Sequence, residues 1–161
     1  MRKIVFAGLV ALGGFATVNA QCKTVSSLTE NFDTWKEMNK CWIAQPGKAM
    51  LYSSDKKIVF YSMNSPRENM YLVTPKIKAG KYTLTLDASD NGGETTMELF
   101  SINNASDPKS YVSIAKSSKI TGTKKTFDVI LKKDSNLGVK VVLNGVHQAV
   151  YVDNFSLTPK K

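Results

Sequence analysis

The chain is poor in the residues most chemistry depends on. It has a single histidine, His147, and two cysteines, Cys22 and Cys41. Two thiols and one imidazole cannot build a four-thiolate zinc centre. A serine or cysteine nucleophile has only His147 to serve as its base, and no G-x-S-x-G elbow occurs. Phosphate-cradling glycine loops are missing: Gly13-Gly14 and Gly92-Gly93 match neither common pattern. Beyond the N-terminus, no apolar run approaches the roughly 20 residues of a membrane-spanning helix. After Gln21 there is also no stretch of ten or more residues with helical period. These scarcities set aside zinc enzymes, serine hydrolases of the elbow type, nucleotide-phosphate enzymes and helical bundles.

What is present begins with a processing segment. Arg2 and Lys3 precede an apolar run from Ile4 to Leu12, and Val18-Asn19-Ala20 sets small residues before Gln21. That order is a secretory signal peptide over residues 1–20, leaving residues 21–161 as a single domain. The chain carries a net charge of +9, and the signal holds two bases and no acids, so the mature part keeps +7. Its lysines are scattered as pairs such as Lys56-Lys57 and Lys132-Lys133, which suits a solvated surface better than a nucleic-acid groove. Export makes a Cys22–Cys41 disulfide the expected state, worth about 3 kcal/mol by loop closure. Lipid attachment at Cys22 stays open, although Gln21 is not the small residue such attachment favours.

The rest reads as strand and turn. Strands are expected over Val25–Phe32, Ala49–Ser53, Lys57–Met63, Asn69–Ile77, Lys81–Ala88, Thr95–Ile102, Tyr111–Ala115, Lys125–Leu131, Leu137–Leu143 and Ala149–Leu157. Thr34–Lys40 is the best candidate for a helical turn. Alternation is clearest where Tyr82, Leu84, Leu86 and Ala88 oppose Thr83, Thr85 and Asp87. In the next strand Met97 and Leu99 oppose Glu98 and Phe100. Pro75 donates no ladder bond and is expected at a strand end or sheet edge. Asp90-Asn-Gly-Gly93 reads as a hairpin loop; Asn144-Gly145 suits a two-residue turn, with a longer loop from Asn144 to Gln148 the preferred reading. About ten short strands make the chain all-β, a two-sheet antiparallel sandwich.

Four segments, in order, resemble one group: Glu30-Asn-Phe-Asp-Thr-Trp35, Cys41-Trp42, Tyr71-Leu-Val-Thr-Pro-Lys-Ile77 with Gly80-Lys-Tyr-Thr-Leu84, and Tyr151-Val-Asp-Asn-Phe155. The group is the cleaved-adhesin domains of secreted bacterial proteins, with MAM-type and galactose-binding-like jelly rolls. The resemblance implies a non-catalytic jelly roll that binds glycan or cell-surface material, with calcium as a structural ion. It assigns metal contacts to Glu30 and Asp153. Asp87 and Asp33 are added here as further carboxylates, because calcium takes six to eight oxygens. Asn154 stands where a second Asp is common in the group, removing one charge.

For a saccharide platform, Tyr52 and Tyr61 are the first choice, with Trp35 beside them, because aromatic rings stack on sugar faces. Trp42 and Tyr111 are further candidates for that platform, Trp42 being expected rather to pack around the disulfide. A hydrolase would need a carboxylate pair such as Glu94 and Glu98, and nothing else marks those two as acid and base. The expected partners are a polysaccharide or cell-surface glycan, with a protein partner open and no specific nucleic acid. The expected location is secreted, periplasmic or at the cell surface. The alternative is a structural or interaction protein of the envelope without a saccharide site.

Overall fold

The computed structural model describes residues 22–33, 41–46, 50–54, 56–64, 67–92, 95–117, 120 and 124–161. The signal segment, the Thr34–Lys40 turn and Trp35 lie outside these residues. Among the described residues eleven strands form two sheets: β1 (Leu28–Glu30), β2 (Ile43–Pro46), β3 (Met50–Ser54), β4 (Lys57–Ser62), β5 (Arg67–Ile77), β6 (Gly80–Asp90), β7 (Thr96–Ile102), β8 (Tyr111–Ser117), β9 (Lys124–Leu131), β10 (Ser135–Leu143) and β11 (Gln148–Pro159). One sheet runs β3-β4-β11-β6-β9, with β1 also paired to β11; the other runs β2-β5-β10-β7-β8. The strand pairings are antiparallel. The fold is an all-β sandwich, as the alternation and turn spacing predict.

Alternation sets the core. Tyr82, Leu84, Leu86 and Ala88 of β6 face Leu137, Val139, Val141 and Leu143 of β10 within one buried cluster. In β11 the inward set shifts from Val150 and Val152 to Phe155 and Leu157. The shift occurs at Asn154, whose φ is 47°, where the register with β6 slips between Asp153 and Ser156. A bulge inserts one residue and so moves the inward set to the other parity. Trp42, only 6% exposed, packs edge-on between Phe32 at 5.6 Å and Phe155 at 5.2 Å. The Cys22–Cys41 disulfide is formed, with Cα atoms 5.6 Å apart, next to Trp42.

Several local expectations are corrected. Pro75 lies inside β5 and is buried, beyond the last rung shared with β2 and beside a slip in the β10 register. Thr74 replaces the missing ladder there: its hydroxyl accepts the Leu137 N–H at 3.0 Å, and its carbonyl accepts Asn136 Nδ2 at 2.7 Å. The first strand is reduced to Leu28–Glu30, while Val25 makes a lone parallel bridge to Ile77. A strand not expected from the pattern, β2, pairs with β5. Asp90–Gly93 is no hairpin, because β6 and β7 belong to different sheets. At Asn144-Gly145 the longer-loop reading holds: β10 and β11 lie in opposite sheets about 10 Å apart, so a four-residue loop joins them in place of a tight turn.

The first and last strands meet. Leu28, Thr29 and Glu30 pair with Leu157, Ser156 and Phe155, and the Lys160 N–H donates to the Lys81 carbonyl.

Candidate functional site

The face of the five-stranded sheet turned away from the core carries a cluster of rings. Met70 and Leu72 of β5 point into the core, so Tyr71 points out; Met97 and Leu99 of β7 likewise turn Phe100 out. Tyr111 opens β8 after a short 3-10 turn, Pro108–Ser110. Tyr71 meets Phe100 and Tyr111 edge to face, at 5.8 and 5.2 Å, and Phe100 and Tyr111 are tilted to each other at 6.4 Å. Lys140 of β10 is opposite Tyr71 on one side and Glu98 on the other. Its Nζ lies 5.9 Å from the centroids of both Tyr71 and Phe100, within cation–π range.

Glycine makes room for a neighbour in the middle of this sheet. Gly138 of β10 stands between Val73 and Phe100, and a Cβ there would come within 2.5 Å of Ile102 Cδ1. The rim is polar and fixed. Ser113 donates to Glu98 Oε1 at 2.6 Å, and the Tyr111 hydroxyl donates to the Ala105 carbonyl at 2.7 Å. Burial pushes the Tyr71 hydroxyl above the ordinary tyrosine value of 10.0, and Tyr111 and Glu98 push the same way. Tyr71 therefore stays a neutral hydroxyl at physiological pH. Apolar ring surface beside a cation, a carboxylate and hydroxyls offers stacking and hydrogen bonding together, the mixture a polar ring ligand needs.

Of the aromatic candidates read from the sequence, Tyr111 joins this cluster, while Tyr61 lies on the other sheet. Tyr61 of β4 pairs with Met50, and Tyr52 of β3 pairs with Val59, so the two tyrosines are diagonal neighbours. Nothing of the Tyr52 side chain is described, and Trp35 lies outside the described residues. Tyr61 shares a hydrogen bond of 3.0 Å with His147 Nδ1, at the sandwich end where Asn91 and the β10–β11 loop lock together. The carboxylates divide. Asp87 and Asp153 are direct cross-strand partners on β6 and β11, beside a small cavity of about 130 Å³ also lined by Lys57, Ser89 and Tyr151. Asn154 donates to both, through Nδ2 to Asp87 at 2.8 Å and through its N–H to Asp153 at 2.7 Å. Glu30 is opposite Phe155, and its Oε1 accepts the Phe32 N–H at 3.0 Å. Asp33 is exposed and accepts from Asn31. Among the described residues no three His, Cys, Asp or Glu gather as a metal-binding group.

Glu98 has Lys140 and Lys116 as its cross-strand partners, and Glu94 lies outside the described residues. Tyr71, Phe100, Lys140 and Glu98 were not selected as a binding face from the sequence. The signal was present in the alternation that set Phe100 and Glu98 opposite Met97 and Leu99. No helix among the described residues is long and apolar enough to cross a membrane, which says nothing of a β-barrel.

No family model matches the chain, and no curated protein matches it. Solved structures do share its fold. The K1 cleaved adhesin domain of Lys-gingipain from Porphyromonas gingivalis superposes with a TM-score of 0.60 at 16% identity, over 84% of this chain and 99% of that one. The K3 domain of the same protein gives 0.58 at 13%, over 82% and 98%. A family 29 carbohydrate-binding module gives 0.57 at 11%, over 83% and 88%. Variants of a family 29 module in which a tyrosine or a lysine is replaced by alanine were made to probe ligand recognition. The chain is thus a jelly-roll β-sandwich of the architecture found in cleaved adhesin domains and carbohydrate-binding modules.

Proposed function

We propose that the protein is an exported, non-catalytic module that binds glycan on the outer face of its five-stranded sheet. The observation that carries this reading is the Tyr71–Phe100–Tyr111 cluster with Lys140 against two of its rings. Large aromatics gathered on the exterior of a sheet, with charged groups around them, serve recognition more readily than stability. The carbohydrate-binding and adhesin modules of the same fold support the reading. So do the formed disulfide and the signal-like first twenty residues, which favour a secreted, periplasmic or cell-surface location. An array of neutral and acidic polysaccharides probed with the mature protein tests it. Binding supports a saccharide module; silence across the array favours an envelope interaction protein.

Calcium belongs to the same proposal as a structural ion at the β6–β11 pair. Its support is the direct opposition of Asp87 and Asp153, since like charges facing each other are unfavourable unless offset. Lys57 and the Asn154 amide offset them in part, and a cation would complete this. Glu30 sits opposite Phe155 and does not converge with that pair, so Asp87 and Asp153 are the contacts proposed.

A further inference from the structure

β8 and β9 are the end strands of their two sheets and lie together on one side of the sandwich, while β2 and β3 close the other side. Between β8 and β9 runs a groove of about 190 Å³ lined by Ser101, Val112, Ile114, Ile130, Lys132 and Lys133, with Asn103 at its margin. Val112 is 55% exposed and Ile130 57%, the two most exposed large hydrophobics among the described residues. The groove lies where β8 begins and β9 ends, at the far end from the β8–β9 connection. Among the described residues β8 pairs with β7 alone, so beyond Tyr111, whose N–H donates to the Pro108 carbonyl, its other edge has no strand beside it.

We propose that this groove docks an extended segment of a partner protein whose side chains alternate apolar and acidic. The segment adds as a strand to the open edge of β8. Its apolar side chains lie on Val112, Ile114 and Ile130, and its carboxylates meet Lys132 and Lys133. Period-two alternation places these two kinds of side chain on opposite sides of one strand. Charge selects this occupant over a second copy: two copies would bring their Lys132-Lys133 pairs together in a mature chain already at +7. The inference stands apart from the glycan reading, since the groove and the aromatic face use different residues.

The test is a titration of isotope-labelled mature protein with a synthetic peptide of alternating valine and glutamate, followed by amide chemical shifts. The expected result is shifts confined to β8, the end of β9 and Lys132–Lys133, with slower hydrogen exchange along β8. Val112→Glu, and Lys132→Glu with Lys133→Glu, should each weaken binding by about tenfold or more, as should lysine in place of glutamate in the peptide. These side chains are exposed, and the same spectra confirm that each variant is folded. No shifts at millimolar peptide, shifts elsewhere, or equal binding of the lysine peptide overturn the proposal. A concentration-dependent dimer that protects β8 also overturns it, by assigning the groove to a second copy.

Discussion

Lys140 is the residue on which the proposed face turns. It sits mid-sheet, opposite Tyr71 and Glu98, with its charge against two rings. Lys140→Ala should weaken glycan binding by about tenfold, the worth of one charge-assisted hydrogen bond, while stability moves by no more than about 0.5 kcal/mol. Calorimetric titration paired with thermal melting checks both halves. The tyrosines carry a pH signature of their own. Burial raises the hydroxyls of Tyr71 and Tyr82, with Asp134 adding to the second. A raised acid in the folded state means that the unfolded chain loses its proton first. Stability is therefore whole below pH 10 and declines as pH climbs through the folded values. Ultraviolet titration should show Tyr71 and Tyr82 ionising above the ordinary tyrosine value. Phe100 was legible in the sequence as an outward residue, because it alternates with Met97 and Leu99. That Tyr71 and Tyr111 join it was not, because period two gives a face and leaves open which strands are neighbours.

Among the elements, β5 and β11 depend on irregularities that pattern reading covers poorly. The bulge at Asn154 reverses the parity of β11, and the buried Pro75 beside a register slip reverses that of β5, where Leu72 and Ile77 both face the core. A proline reads as an end signal in sequence; here Thr74 takes over the ladder bonds. Asn-Gly pairs were legible as turns but not as passages between sheets, a matter of strand order. At Gly138 the close approach of the fully buried Ile102 leaves no room for a methyl group. Gly138→Ala should cost about 1–3 kcal/mol by overpacking, and Ile102→Val in the same chain should recover part of it in denaturant melts. The β6–β11 pair holds the calcium prediction. At a hundredfold excess over Kd the ion adds about 2.7 kcal/mol, so chelator should lower the melting temperature and Asp153→Ala should remove that response. An unchanged melting temperature under chelation removes calcium from the account and leaves the fold intact.

At the scale of the molecule, the sandwich brings its ends together, β1 on β11, and ties the N-terminal side with the Cys22–Cys41 bond. Reduction should lower stability by about 2–4 kcal/mol, read from urea unfolding with and without reductant. The all-β class and the meeting of the ends follow from strand alternation and from the terminal Glu30-to-Trp35 and Tyr151-to-Phe155 segments. Tyr52 and Tyr61 were singled out because their short strands adjoin, which is true of β3 and β4, yet the ring cluster formed on the other sheet. The central claim is that this second sheet is the glycan-binding face. The most direct measurement is a glycan array read side by side for the mature protein and its Phe100→Ala variant, each shown folded by circular dichroism. The account predicts binding to at least one polysaccharide by the first and its loss in the second. Binding that survives Phe100→Ala unchanged, or no binding by the mature protein at all, contradicts it.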